Sequence, residues 1–356
     1  MDSNGSLESQ VQNLEEKVKA ANLPLDLNEK VEGMLSMLKA GLKAGGATYI
    51  NFESTAKYID WIISLPFAKE TKDILDLNAA KQILDKNHYG LESVKNRILE
   101  YLASIMLNLK ITQGQDTTIR APILCLIGLV GTGKTTLAYS VAEALGRKFE
   151  RIPFGGMGDA KILRGQSRAL AEAEPGSIVK KMVHAQSRNS VILLDELDRV
   201  TEAARADIMG VLVELLDPEQ NKAFTDHYID YPFDLSHSLF ITTANNTTNI
   251  STAVLDRLEV IQMPSYTDEE KTVIAKTYLF PKIRKTSGLL ENQLLIDDPL
   301  WPNIIRPLGF DSGIRSLERT IEGICRKTAR MIIEGKVSQN SQVHITTENL
   351  KQFLST

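Results

Sequence analysis

From Val11 to Lys43 the apolar residues recur every three or four positions. Val11, Leu14 and Val18 form one stripe and Val31, Leu35, Leu38 and Leu42 a second, with Leu23-Pro24 and Gly45-Gly46 as breaks. Residues at that spacing share one side of a helix, so the pattern predicts two or three amphipathic helices. In TAKYIDWIISLPFAKE it places Tyr58, Trp61, Ile62 and Leu65 on one face before Pro66 stops the helix, and a further helix follows Leu77 after an Asp-rich loop. Residues 1–85 are therefore expected to form an all-helical N-terminal domain.

Beyond His88-Tyr89-Gly90 and a long helix over residues 91–109, the pattern changes. The polar stretch TQGQDTT precedes APILCLIGL, an unbroken apolar run with the length of a strand buried on both faces. KFERIPF, NSVILLDEL and SLFITTAN resemble it, and helical patterns over residues 135–145, 176–186 and 206–215 lie between. Such alternation predicts an α/β fold, a parallel sheet with helices on both faces, over residues 86–264. After Pro264 the strand signal fades. Thr267-Asp268-Glu269-Glu270 has capping-box spacing, and helical patterns continue through Leu279, residues 314–333 and residues 347–354. Residues 265–356 are expected to be a small α-helical lid, and no internal repeat is seen.

Composition narrows the function classes. With 43% hydrophobic and 24% charged residues in 356, the chain is neither disordered nor fibrous. Its net charge of −4 gives no general attraction to polyanions, so nucleic acid is an unlikely primary partner without a local basic patch that the sequence does not show. No run approaches the ~18 apolar residues of a membrane span, and MDSNGSLESQ has neither a basic nor an apolar leader segment. The expected location is cytoplasmic, the alternative being a chain from which a targeting segment has been removed. Cys125 and Cys325 are too few for a disulfide framework and read as buried free thiols.

The chemistry lies at the ends of the apolar runs. Gly128-Leu-Val-Gly131-Thr132-Gly133-Lys134-Thr135-Thr136 fits the phosphate-binding (Walker A) loop, following a strand and opening a helix. Its glycines let backbone N–H groups converge on phosphates, Lys134 neutralises β/γ oxygens, and the Thr135 hydroxyl is a ligand for Mg²⁺. About sixty residues on, in VILLDELD, Asp195-Glu196 end a continuously apolar strand, a Walker B pattern. There Asp195 would orient Mg²⁺ or its water, and Glu196 would polarise the water that attacks the γ-phosphate of ATP. Asn245, closing LFITTAN, offers an amide to hold that water, although Asn is also a good turn residue. Arg257 in LDRLEV and Arg315 in GIRSLER are candidate γ-phosphate sensors, although isolated arginines are ordinarily surface residues.

Taken together, GLVGTGKTTLA, ALGRKF, RIPFGG, LLDELD, LLDPEQNKAFTDHYIDYPFDLS, TANN, LDRLEVI, YTDEEK and GIRSLER resemble the AAA+ ATPase module of the Lon proteases. YIDWIISLPF and LDKNHYGLESVKNRILEYLA extend the resemblance, which covers roughly residues 50–355. It implies a ring, a hexamer, with ATP bound at each boundary between copies. Lys134, Thr135, Asp195, Glu196 and Asn245 would act within one copy, Arg315 would sense nucleotide from the lid, and Arg257 would reach the neighbour's γ-phosphate. His88 and Tyr89 would lie near the adenine, although a His-Tyr-Gly turn also serves as plain packing.

Two departures bear on function. Lon enzymes continue into a Ser-Lys peptidase domain, whereas this sequence stops at Thr356, and no serine in it has the setting of an activated nucleophile. Lon's substrate-gripping pore loop carries an aromatic, an aliphatic and a glycine before Pro-Gly, where aligning on Pro175-Gly176 gives Leu170, Ala171 and Glu172. Loss of the aromatic ring shrinks the contact surface, and Glu172 and Glu174 add charge. Two readings follow: an ATPase that remodels or translocates protein, and an ATP-dependent scaffold or regulator that assembles with a Lon-type partner without threading substrate. A third, a DNA-associated ATPase, is disfavoured by the acidic balance.

Overall fold

The unbroken apolar runs become strands in a computed structural model that describes residues 3–43, 49–112, 123–306, 313–338 and 341–354. The Gly45-Gly46 break and nearly all of TQGQDTT lie outside these residues. The strands are β1 (Ile123–Ile127), β2 (Phe149–Pro153), β3 (Val191–Asp195), a short antiparallel pair of β4 (Phe224–Thr225) and β5 (Pro232–Phe233), and then β6 (Leu239–Ala244). A strand not expected from the sequence, β7 (Leu258–Gln262), completes a five-stranded parallel sheet in the order β2-β3-β6-β1-β7. Every residue of β1, β3 and β6 is buried, which is why their sequences are continuously apolar. The edge strand β7 is only half-covered and carries Glu259 and Gln262, so its apolar run is broken.

Alternate residues of the central strands serve two cores. Leu124, Leu126, Val191, Leu193 and Ile241 pack under the helices Leu77–Asn87, Glu92–Thr112 and Lys134–Leu145. Cys125, Ile127, Ile192 and Leu194 face the helices Ser177–Ala185 and Arg205–Leu215. The second core runs on without a gap into the N-terminal helices Ser3–Ala20, Leu25–Lys43 and Tyr49–Ser64. There Tyr58 packs 6.1 Å from Tyr228, and just beyond the last helix Phe67 lies 5.3 Å from Phe233.

After β7, Thr267 and Glu270 form the expected capping box at the start of helix Asp268–Ile274. The chain continues through a π-helical turn, Ala275–Leu279, into helix Phe280–Thr286. Helix Arg315–Ile333 packs Ile321, Ile324 and Cys325 against Trp301 and Phe353 in a third core. A parallel pair, β8 (Leu294–Ile296) and β9 (Val343–Ile345), tops this otherwise helical part. Cys125 and Cys325 are both buried and free, as expected from the sequence.

Candidate functional site

The C-terminal ends of β1, β3 and β6 open into one cleft of about 390 Å³, roofed by the helical part that follows β7. In a parallel sheet these ends also face the N-termini of the following helices, where unsatisfied N–H groups favour an anion. The loop leaving β1 depends on its glycines. Gly131 and Gly133 have φ of +83° and +90°, and a Cβ on Gly128 would lie 2.7 Å from the Met263 carbonyl oxygen. Gly128 therefore packs beneath the loop. Thr132 is buried with its hydroxyl turned to the Leu129 carbonyl, 2.9 Å away, while Lys134, Thr135 and Thr136 line the cleft.

Lys134 Nζ donates to the Gly128 and Leu129 carbonyls, at 2.5 and 3.0 Å, and to Asn245 Oδ1 at 3.2 Å. Burial pushes its ammonium below the usual lysine range, against the pull of Asp198, Asp195 and Glu196. Asp198, which sequence reasoning missed, also fixes the Asn245 amide: its carboxylate accepts from Asn245 N at 3.0 Å and Nδ2 at 3.2 Å, which turns Oδ1 toward Lys134.

Asp195 and Glu196 meet on Thr243, one residue short of the end of β6. The Thr243 hydroxyl donates to Asp195 Oδ1 and accepts from Glu196 N at 2.9 Å, while Arg151 Nε on β2 donates to Asp195 Oδ2 at 2.6 Å. Glu196 sits at φ +62°, and a Cβ on Gly155 would come within 2.8 Å of its Oε2, so that glycine makes room for the carboxylate. Neither Thr243 nor Arg151 carries a local signal: a threonine in a strand is an ordinary β-former, and Arg151 stands in an edge strand.

The remaining walls come from both flanks. His88 is buried with Nε2 2.9 Å from Ser140 Oγ, and burial, helped by the Lys95 charge, pushes its imidazole down to about 4. Tyr89 stands at the mouth. From the roof, Tyr266 donates its hydroxyl to the Thr132 carbonyl at 3.4 Å, and Ile274, Tyr278 and Leu279 add an apolar wall. The π-helical turn presents the last two, a geometry frequent at functional sites. Ile314 N donates to the Gly131 carbonyl at 3.1 Å, and Arg315 opens its helix inside the cleft.

Two expected groups lie elsewhere. Arg257 is outside the cleft, with Nη1 donating to the Ala253 carbonyl at 2.8 Å and Nη2 to Asp217 Oδ2 at 3.0 Å. Leu170, 56% exposed, stands with exposed Ala171 and Glu172 at the tip of a loop whose base is pinned. There buried Asp226 accepts from Gly176 N at 2.7 Å, and Arg168 lies 3.7 Å over the Tyr58 ring. Glu174 is paired with Lys180 at 2.6 Å, which leaves Glu172 as the acidic group at the tip.

Residues 124–266 match the family described as ATPase family associated with various cellular activities, and residues 285–346 match the Lon protease AAA+ ATPase lid domain. The Lon protease of Desulforamulus reducens is 49% identical over 297 residues, 83% of this chain and 35% of that protein. That of Syntrophomonas wolfei is 44% identical over 347 residues, covering 97% and 41%. That of Clostridioides difficile is 42% identical over 348 residues, covering 98% and 42%. The chain thus spans less than half the length of each of these relatives.

Proposed function

The chain belongs to the AAA+ ATPases with the Lon type of module, and on that premise we propose that it hydrolyses Mg²⁺-ATP to remodel or translocate protein as a ring, a hexamer. The observation that carries the reading is convergence: Lys134, Asp195, Glu196 and Asn245 come from three strand ends onto one cleft that Arg315 enters from the roof. In the proposed division, residues 1–85 are the helical N-terminal domain, 86–264 bind nucleotide and 265–356 are the lid.

Backbone N–H groups of the glycine loop and Lys134 hold the β- and γ-phosphates. Glu196 takes the proton of the attacking water, and Asn245 orients that water. Arg315 senses the γ-phosphate, Arg257 reaches a neighbour's, and His88 and Tyr89 flank the adenine. Among the described residues no group of three His, Cys, Asp or Glu could hold a metal ion. The donors at the cleft, the Thr135 hydroxyl and Asp195, are hard oxygens that suit Mg²⁺ with phosphate and water completing its shell. Thr243 and Arg151 each donate one hydrogen bond to an Asp195 oxygen, which leaves lone pairs on the carboxylate that could hold the ion or its water. Bound there, Mg²⁺ would neutralise charge on the transferring phosphoryl group.

Among the described residues no helix is long and apolar enough to cross a membrane; a cytoplasmic location and protein quality control belong to the proposal, and peptide-bond cleavage does not. The exposed Leu170-Ala171-Glu172 tip favours a second reading, an ATP-dependent scaffold or regulator of a Lon-type protease that threads nothing. ATPase rate with and without an unfolded protein such as casein separates the two. Translocation predicts stimulation that Leu170→Ala abolishes; no stimulation leaves the scaffold. Glu196→Gln should keep ATP binding and nearly abolish turnover, and Lys134→Ala should lose binding. Normal turnover in Glu196→Gln would refute the assignment of the base.

A further inference from the structure

Arg257 lies outside the cleft, and its contacts point to a role for a residue not yet used. The side chain follows the short helix Thr252–Leu255 and is anchored at both ends of its guanidinium, Nη1 on the Ala253 carbonyl at 2.8 Å and Nη2 on Asp217 Oδ2 at 3.0 Å. The pair is partly covered, the two side chains being 28% and 21% exposed. Among the described residues these contacts engage two of the five N–H donors of the guanidinium.

Asp217 is itself fixed. Its Oδ1 accepts from Glu219 N at 2.9 Å and Gln220 N at 3.3 Å. These amides, led by that of Glu219 and joined by the Arg257 guanidinium, hold the carboxyl below the usual aspartate range despite some burial. Its two oxygens thus do separate work: one builds the Asp217-Pro218-Glu219-Gln220 turn and the other holds a cation 40 residues away.

We propose that Asp217 is the positioning residue for Arg257. It holds an otherwise flexible guanidinium in one pose, so that the remaining donors form a rigid fork for the γ-phosphate bound by a neighbouring copy. The inference rests on the reading of Arg257 as a cation acting on the neighbour's nucleotide. A surface arginine swings through many rotamers, and a tethered one spends its time in the productive one.

Asp217→Asn separates the two jobs, because the amide keeps an acceptor for the turn and loses the charge that holds Arg257. The expected result is a fall in kcat for ATP of ten- to a hundredfold, in line with the ~10²-fold cost of a 1 Å misplacement. Affinity for a fluorescent ATP analogue, assembly and melting temperature should stay as in the parent. Asp217→Glu should recover part of the loss. In an Arg257→Ala background, Asp217→Asn should have no further effect, as expected of two residues acting as a unit. An unchanged or raised kcat, or an equal loss in the Arg257→Ala background, overturns the proposal. Should Asp217→Asn melt early, the cycle is run with Asp217→Glu, and an equal loss with and without Arg257 overturns it in the same way. If Arg257→Ala alone keeps parental kcat, the reading of Arg257 fails and takes this proposal with it; if Arg257→Ala is impaired and Asp217→Asn is not, the positioning proposal alone fails.

Discussion

Replacing Thr243 by valine tests whether the two acidic residues of the cleft are held as described. The site is fully buried, and valine has the shape of threonine with a methyl in place of the hydroxyl, so no cavity opens and only hydrogen bonds are lost. One is the bond to the Asp195 carboxylate, a charged acceptor, at about 1.5–3 kcal/mol. The other leaves Glu196 N without its acceptor, at about 1–3 kcal/mol, the low end applying because that residue is partly open to water. Arg151 continues to hold the second Asp195 oxygen, which moderates the first loss. The sum is about 2–4 kcal/mol, or, at about 2.1 cal/mol/K of unfolding entropy per residue over 356 residues, a melting temperature lower by roughly 3–5 °C. Thr242→Val is the control: it is equally buried on the same strand, but its hydroxyl meets only neutral groups among the described residues, the Leu124 carbonyl at 3.3 Å and the Cys125 thiol, and the expected cost is about 1 kcal/mol. Nucleotide-free thermal unfolding of both variants, followed by circular dichroism, reads the difference. A Thr243→Val protein melting within 1 °C of the parent, or a Thr242→Val protein that falls as far, would refute the reasoning.

Two further outcomes follow from the same cleft. A Cβ on Gly313 would lie 2.3 Å from the Val130 carbonyl oxygen, backbone that cannot step aside, so Gly313→Ala should push the roof off the glycine loop, break the bond from Ile314 N to the Gly131 carbonyl and weaken ATP-analogue binding tenfold or more; titration calorimetry checks this, and parental affinity would contradict it. Because His88 is held near 4 in the folded chain against 6.5 ordinarily, protons favour the unfolded state; stability is intact above pH ~6.5 and falls toward pH 4 by roughly 3 kcal/mol in all, a slope that His88→Gln should flatten in urea titrations at stepped pH.

What the sequence determined by itself is what local spacing encodes. Strands buried on both faces need continuous apolar runs, so β1, β3 and β6 were legible, as were the glycines that turn the phosphate loop and the Thr267–Glu270 capping box. Asp195, Glu196 and Asn245 were candidates because they stand at the ends of such runs, and Lys134 because it closes the glycine loop that follows one. The tertiary structure decided which side chains meet. Thr243 joins Asp195 to Glu196, Asp198 sets the Asn245 amide and Arg151 occupies Asp195, all through the strand order β2-β3-β6 rather than through nearness in sequence. The edge strand β7 stayed hidden because half-covered strands need not be apolar throughout, and the tether of Arg257 to Asp217 joins two segments that no spacing links. A parallel sheet gathers the C-terminal ends of distant strands into one mouth, and that convergence, absent from the linear chain, makes the acids, the amide and the lysine a single site.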